Sequence, residues 1–307
     1  MANAATPWGL LAWIGAAVVA FAVAPAPPAA PPMDAEEIAA IQRSLDRLVA
    51  ETRAWQRERG DRQLPWSQAR GHLAIVIDDV GRELHLFEQL LDLRYPITFS
   101  VLPGAVYAPG AQLRLRADRR RYREIMLHLP MEPLESGRMR ETEDARETFL
   151  LSSDPPDELV RKLEAALDRV PAAVGVNNHM GSRLSAERAA MDALMPVLAQ
   201  RGLFLLDSRT TPATVAEQAA RHAGVPAIAR QVFLDDDPDP AAIEAALERA
   251  ATMSRERPVV AIGHPLAATV DVLRRRLLEL YEAGVSVYLA SVLLTHAGSA
   301  QGRASGP

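Results

Sequence analysis

The sequence predicts one α/β domain whose strands run parallel and curl toward a barrel. Three observations carry this. Eight short aliphatic runs recur along the chain, segments with helical apolar spacing lie between them, and no glycine-rich dinucleotide fingerprint follows any run. Short buried runs alternating with helices spell strand–helix units and a parallel sheet, and the missing fingerprint favours closure over a doubly wound sheet. In order, the runs are 73–77, 97–102, 124–128, 172–176, 203–206, a stretch near 226–233, 258–262 and 285–290. The intervening segments 82–94, 155–169, 185–201, 239–256 and 267–283 read as helices, with Asp239 placed to cap the one that opens at Pro240.

Ahead of this domain, residues 1–24 contain an apolar block, Trp8 to Ala24, without a charged side chain. Its length is at the short end of what spans a bilayer, so it reads as a signal peptide or an uncleaved anchor. Acidic Asp34, Glu36 and Glu37 beyond it suit the translocated side, which places the domain on the periplasmic side of an inner membrane. Residues 25–33 are a Pro/Ala-rich linker. Residues 34–70 form an amphipathic helix and connector in which Ile38, Ile41, Leu45, Leu48 and Trp55 follow a three-four spacing over 34–58. That stripe suits a stalk, a dimer or partner contact, or packing on the main domain. The domain proper covers 71–295, and 296–307 read as a loose tail.

Composition removes several kinds of chemistry. The chain of 307 residues carries a formal charge of −5 and only 5% aromatic residues, which argues against a nucleic-acid partner. Without cysteine there is no thiolate metal site, iron–sulfur cluster or thiol nucleophile. Lys162 is the one lysine and sits on a helical surface, which disfavours Schiff-base chemistry and a phosphate-loop lysine. Any metal must be held by His, Asp or Glu.

Side chains that can do chemistry fall just past the carboxyl ends of the runs. Asp78 and Asp79 follow the first, His128 closes the third, Asn177, Asn178 and His179 follow the fourth, Asp207 the fifth and His264 the seventh. In parallel α/β folds those ends converge on one face. Adjacent aspartates repel unless a cation or a proton relieves them, although Asp79 is also placed to cap a following helix. Three imidazoles and two carboxylates on one rim predict a metal site, and this ligand set favours zinc or another first-row divalent ion over calcium. Such an ion suits hydrolysis of an amide or ester, with a carboxylate as base and a histidine as acid. Asp207 and Arg209, in AspSerArgThrThrPro (207–212), are candidates for substrate contact or for capping the next helix. The acidic run 232–240 lacks the features of a calcium loop and reads as loop and cap.

Five blocks in this order resemble the divergent polysaccharide deacetylase family: IleValIleAspAspValGly (75–81), LeuHisLeuProMetGlu (127–132), GlyValAsnAsnHisMetGlySer (175–182), LeuAspSerArgThrThr (206–211) and AlaIleGlyHisPro (261–265). The resemblance implies a distorted β/α barrel of about seven strands and a divalent-metal hydrolase that removes acetyl groups from an envelope glycan or a peptidoglycan fragment. It further implies Asp78 as general base, Asp79 and His128 as metal ligands, and His264 as acid. His179 stands as an extra ligand of this branch. Glu132 takes the place of the superfamily's second metal histidine and is a candidate ligand, while Asn178, Asp207 and Arg209 are candidate substrate contacts. The departures from the wider superfamily, at Val80, at Glu132 and at AsnAsnHisMetGlySer, leave a second reading open: a non-catalytic factor that binds glycan or a partner. A phosphoacceptor receiver built on the aspartate pair is excluded, because it needs a strand-end lysine.

Overall fold

A computed structural model describes residues 34–118, 121–140 and 145–296, and the chain divides into two compact units, Met1–Glu51 and Thr52–Pro307. Helix α1, Ala35–Arg59, begins in the first unit. Asp34 caps it, accepting hydrogen bonds from the backbone N–H groups of Glu36 and Glu37 while Glu37 returns a carboxylate to the Asp34 N–H. The stripe residues Ile38, Ile41, Leu45 and Leu48 are exposed.

In the second unit the elements are β1 (Gly71–Val80), α2 (His85–Leu91), β2 (Thr98–Val101), α3 (Ala108–Ala117), β3 (Glu124–Met131), α4 (Pro156–Arg169), β4 (Gly175–Met180), α5 (Arg188–Arg201), β5 (Phe204–Asp207), α6 (Ala216–His222), β6 (Ala227–Ala229), β7 (Val232–Phe233), α7 (Pro240–Ser254), β8 (Val259–Gly263), α8 (Ala267–Glu282) and β9 (Val285–Tyr288). The strands form one sheet in the order β6-β5-β4-β3-β2-β1-β8-β7, with β9 paired to β1. The pairings are parallel. This is the α/β architecture that the alternating runs predict, with nine strands among the described residues where about seven were implied. The run near 226–233 breaks into two short strands, and β9 pairs only with the first residues of β1, Gly71 to Ala74.

The sheet is a half-barrel whose two edges are joined by two residues, Arg230 and Gln231. So short a link holds the edges within about 10 Å of each other. The link also pairs in both directions. Arg230 N donates to Asp207 O on the β5 side, while Gln231 N donates to Val260 O on β8. Asp239 caps α7 as expected, accepting from the N–H groups of Ala241 and Ala242.

Strand side chains alternate between faces, and two apolar layers follow from that. Leu73, Ile75 and Ile77 join the large core beneath the helices. Ala74 and Val76 instead join Met126, Phe204, Leu206, Val260, Ile262 and Tyr288 in the curled interior. Continued toward the carboxyl ends, this interior parity passes from apolar residues to Asp78, Ser100, His128, Asn177, His179 and His264. The fold therefore places its polar chemistry on top of a dry floor.

The expected membrane placement is corrected. Among the described residues no helix is long and apolar enough to cross a membrane. The apolar block Trp8–Ala24, on which the anchor and the periplasmic placement at an inner membrane rested, lies outside the described residues, as do the linker 25–33 and residues 297–307 of the tail. No anchoring segment is shown.

Gly81 tests the packing around β1. Its φ is +110°, and a Cβ there would lie 2.9 Å from the Ala108 Cα at the start of α3. Gly81→Ala adds a strained backbone to a clash with an element that cannot give, so it should cost about 1–3 kcal/mol of stability in a denaturant titration. A change within the error of the titration would contradict this account of the β1–α3 approach.

Candidate metal and catalytic site

Asp78 and Asp79 are neighbours on one strand, and alternation should send them to opposite faces. A bulge prevents this. Ile77 pairs with Phe99 and Val80 with Val101, so β1 spends one residue more than β2 over the same distance. Asp79 absorbs the kink with φ of +56°, a conformation that aspartate tolerates better than most residues. Both carboxylates then line one cavity of about 330 Å³, together with Arg82, His128, Arg138, Asn178, His179, Ser208, Thr210, Phe233 and His264 among others. Met180 and Arg209 also have positive φ, so strained backbone recurs at the carboxyl ends of β1, β4 and β5. Such strain persists only where the surrounding structure holds it.

Three donor atoms meet at the cavity floor. Asp79 Oδ1 lies 3.3 Å from His128 Nε2 and 3.1 Å from His179 Nδ1, and the two ring nitrogens are 3.2 Å apart. Tetrahedral ligation with bonds of about 2.0–2.1 Å puts neighbouring donors about 3.3–3.4 Å apart, so this triangle has the dimensions of one face of a zinc-type site. Among the described residues, Asp79, His128 and His179 are the group of His, Asp and Glu side chains close enough to hold an ion. Among the described residues, buried Asp79 Oδ1 faces the two imidazole nitrogens without a hydrogen bond of good geometry, as suits an oxygen that could take a cation. Its companion Oδ2 is ion-paired to Arg82 Nη1 at 3.0 Å. Burial alone would raise the Asp79 pKa, but the charge of His179 and the contacts of both imidazoles hold it well below the usual carboxylate range.

Asp78 behaves oppositely. Burial raises its pKa above the ordinary value, against the pull of His128, His264 and the Asn177 amide and with help from the neighbouring Asp79. His264 lines the cavity too, with Nδ1 donating to Asp235 Oδ1 at 2.8 Å. Asp235 is pinned in turn, since its Oδ2 accepts from the His264 N–H and from Thr269 Oγ1. Burial would lower the His264 pKa, but the Asp235 hydrogen bond and the carboxylates of Asp79, Asp235 and Asp78 outweigh it and push the imidazole up to about 9.

The other sequence candidates are placed differently. Glu132 does not join the cluster. Its Oε2 accepts from the Ser152 N–H at 2.6 Å and its Oε1 faces Arg183 Nε at 3.4 Å. The chain leaves β3 at Met131, and Glu132 is spent on tying that exit to the segment 150–152. Asp207 has the outward parity of β5, and its carboxylate accepts from the Arg209 N–H and from Thr214 Oγ1. It shapes a loop and does not line the cavity. Arg209 is exposed, and it too is absent from the lining. Asn178 does line the cavity, yet its amide braces the loop through Met180 O and the Ser208 N–H. Two residues had been given no role: Asn177, named only by its place at a strand end, and Asp235. Asn177 has the interior parity and is fully buried, and parity would have singled it out over Asn178. Asp235 was hidden in an acidic run that reads as a loop.

A parallel half-barrel with a carboxylate–imidazole triangle at its strand ends, flanked by a buried aspartate and an aspartate-held histidine, defines the class. The chain belongs to the divergent polysaccharide deacetylase family, whose model matches residues 75–294. It is 37% identical over 225 residues to the uncharacterized protein YibQ of Escherichia coli K12, covering 73% of this chain and 67% of that one. An uncharacterized protein of Haemophilus influenzae is 34% identical over 218 residues, covering 71% of this chain and 75% of its own length. Among solved structures, the uncharacterized protein ATU2773 of Agrobacterium tumefaciens superposes with a TM-score of 0.66 at 23% identity, covering 76% of this chain and 93% of that one. That likeness shows the fold.

The sign of the His264 shift gives a prediction. A histidine whose folded pKa is raised contributes stability that is fully present below its unfolded value, near 6.5, and lost as pH rises through about 9. Asp235→Asn should return the imidazole toward its ordinary range, read from the ring proton shifts in an NMR titration. An unchanged titration midpoint would show that Asp235 does not hold the charge.

Proposed function

We propose that this protein is a metal-dependent hydrolase that removes acetyl groups from a glycan or a peptidoglycan-derived fragment. The observation that supports it is the triangle of Asp79 Oδ1, His128 Nε2 and His179 Nδ1 opening into one cavity with Asp78 and His264. These three side chains would hold zinc or another first-row divalent ion, which when bound polarises the acetyl carbonyl and acidifies water.

The chain's own residues supply the proton movements. Asp78, with its raised pKa, takes a proton from the water that attacks the acetyl carbon. His264 is charged at neutral pH, and with Nδ1 engaged by Asp235 it offers its Nε2 proton to the leaving nitrogen or oxygen. The C–N or C–O bond breaks, the product leaves as acetic acid whose remaining proton passes to solvent or to the freed amine, and the proton taken by Asp78 recharges His264. Arg82, on the carboxylate oxygen turned away from the triangle, keeps Asp79 facing inward.

Asp78→Asn should lower acetate release from acetylated chito-oligosaccharides or peptidoglycan by about 10²–10⁴-fold and leave bound zinc, measured by elemental analysis, at the parental level. Equal loss of metal and turnover would contradict the division of roles between the two aspartates. Equal acetate release from both proteins would favour the binding-factor reading, which the diversion of Glu132 to Ser152 and Arg183 also motivates.

A further inference from the structure

Asn177 is fully buried and touches four functional or supporting side chains at once. Its Oδ1 accepts from Ser100 Oγ at 2.5 Å and from His128 Nδ1 at 3.0 Å. Its Nδ2 donates to Asp78 at 2.8 and 3.1 Å and to Ser208 Oγ at 3.2 Å. The orientation of the amide is not free. Turned over, it would set an oxygen against the Asp78 carboxylate, to which Nδ2 now donates twice. An acceptor at Nδ1 requires the proton of a neutral His128 to sit there, which leaves Nε2 with a bare lone pair. That is the nitrogen aimed at Asp79 Oδ1 and His179 Nδ1.

The same amide thus does two things with its two ends. Strand pairing makes this possible, because Asn177 on β4 is the direct partner of His128 on β3, and Ser100 and Asp78 follow on the next two strands. Ser100 fills the second lone pair of Oδ1, so no competing donor can draw the amide away. A leucine would supply neither end, and an aspartate would keep the acceptor while setting a negative charge against Asp78.

We infer that Asn177 is a positioning residue that presets the ligating tautomer of His128 and, through its other end, the orientation of the Asp78 carboxylate. The inference rests on the metal-hydrolase reading of this site, but its first readout needs neither metal nor substrate. In the metal-free full-length protein, long-range ¹H–¹⁵N NMR should show His128 protonated at Nδ1. Asn177→Leu should mix or reverse that tautomer and weaken zinc binding, measured by chelator competition, by about 10–100-fold. Asn177→Asp should keep the tautomer and the zinc affinity while acetate release falls by about 10²-fold or more.

An Nε2-protonated His128 in the parental protein, or a folded Asn177→Leu variant with parental tautomer and zinc affinity, would overturn the proposal. Should Asn177→Leu fail to fold, Asn177→Asp decides alone: a reversed His128 tautomer or parental acetate release would overturn it. A parental protein that binds no zinc, yet whose His128 tautomer depends on Asn177, would end the metal reading and leave the positioning role standing.

Discussion

Electron pairs crowd one another at the mouth of this half-barrel, and the rest of the site is arranged around that crowding. Asp79 Oδ1 and His128 Nε2 are both acceptors 3.3 Å apart, and His179 Nδ1 can place a single proton between them. In a buried setting such a cluster is costly unless positive charge enters it. The structure does not spread these groups apart. It holds them by a bulge in β1, by Arg82 behind Asp79 and by Asn177 behind His128, all of which keep the electron-rich atoms facing inward.

Holding them costs stability. Asp79, Met180 and Arg209 adopt left-handed backbone at the rim, each at a cost of about 1–3 kcal/mol. The offset comes from below, where two apolar layers on the faces of the sheet are almost wholly withdrawn from water. The helices add little chemistry of their own. Their role is to cover the outer layer, so that strand ends can be shaped without loss of the fold.

Much of this was legible in the sequence, because aliphatic runs followed by polar residues mark the carboxyl ends of buried strands. Asp78, Asp79, His128, His179 and His264 were all readable on that ground, and all line the cavity. What position along the chain cannot convey is the direction of a side chain. Asp207 and Asn177 both stand at strand ends, but outward parity takes Asp207 to a loop while inward parity takes Asn177 to the site. Glu132 keeps the spacing of a ligand yet lies one residue beyond the strand, where the chain has already turned. Asp235 is anonymous among Asp236, Asp237 and Asp239 until the pairing of β7 with β8 brings it against His264. Helix α3 was not among the helical segments named. The short α6 was missed as well.

The surroundings of the two adjacent aspartates also explain why their pKa values shift in opposite directions. Both are buried, but His179 and His128 beside Asp79 together outweigh that burial, whereas the pull of His128, His264 and the Asn177 amide does not outweigh the burial of Asp78 beside a second carboxylate. Environment, not sequence distance, sets the two carboxylates apart, which is what the proposed hydrolase would need of them.

The most direct measurement is anomalous diffraction from crystals of the protein equilibrated with zinc. The account predicts one peak about 2.0–2.1 Å from Asp79 Oδ1, His128 Nε2 and His179 Nδ1, with Glu132 uninvolved. Crystals with no peak there, or with the two imidazoles rotated apart and zinc held elsewhere, would contradict it.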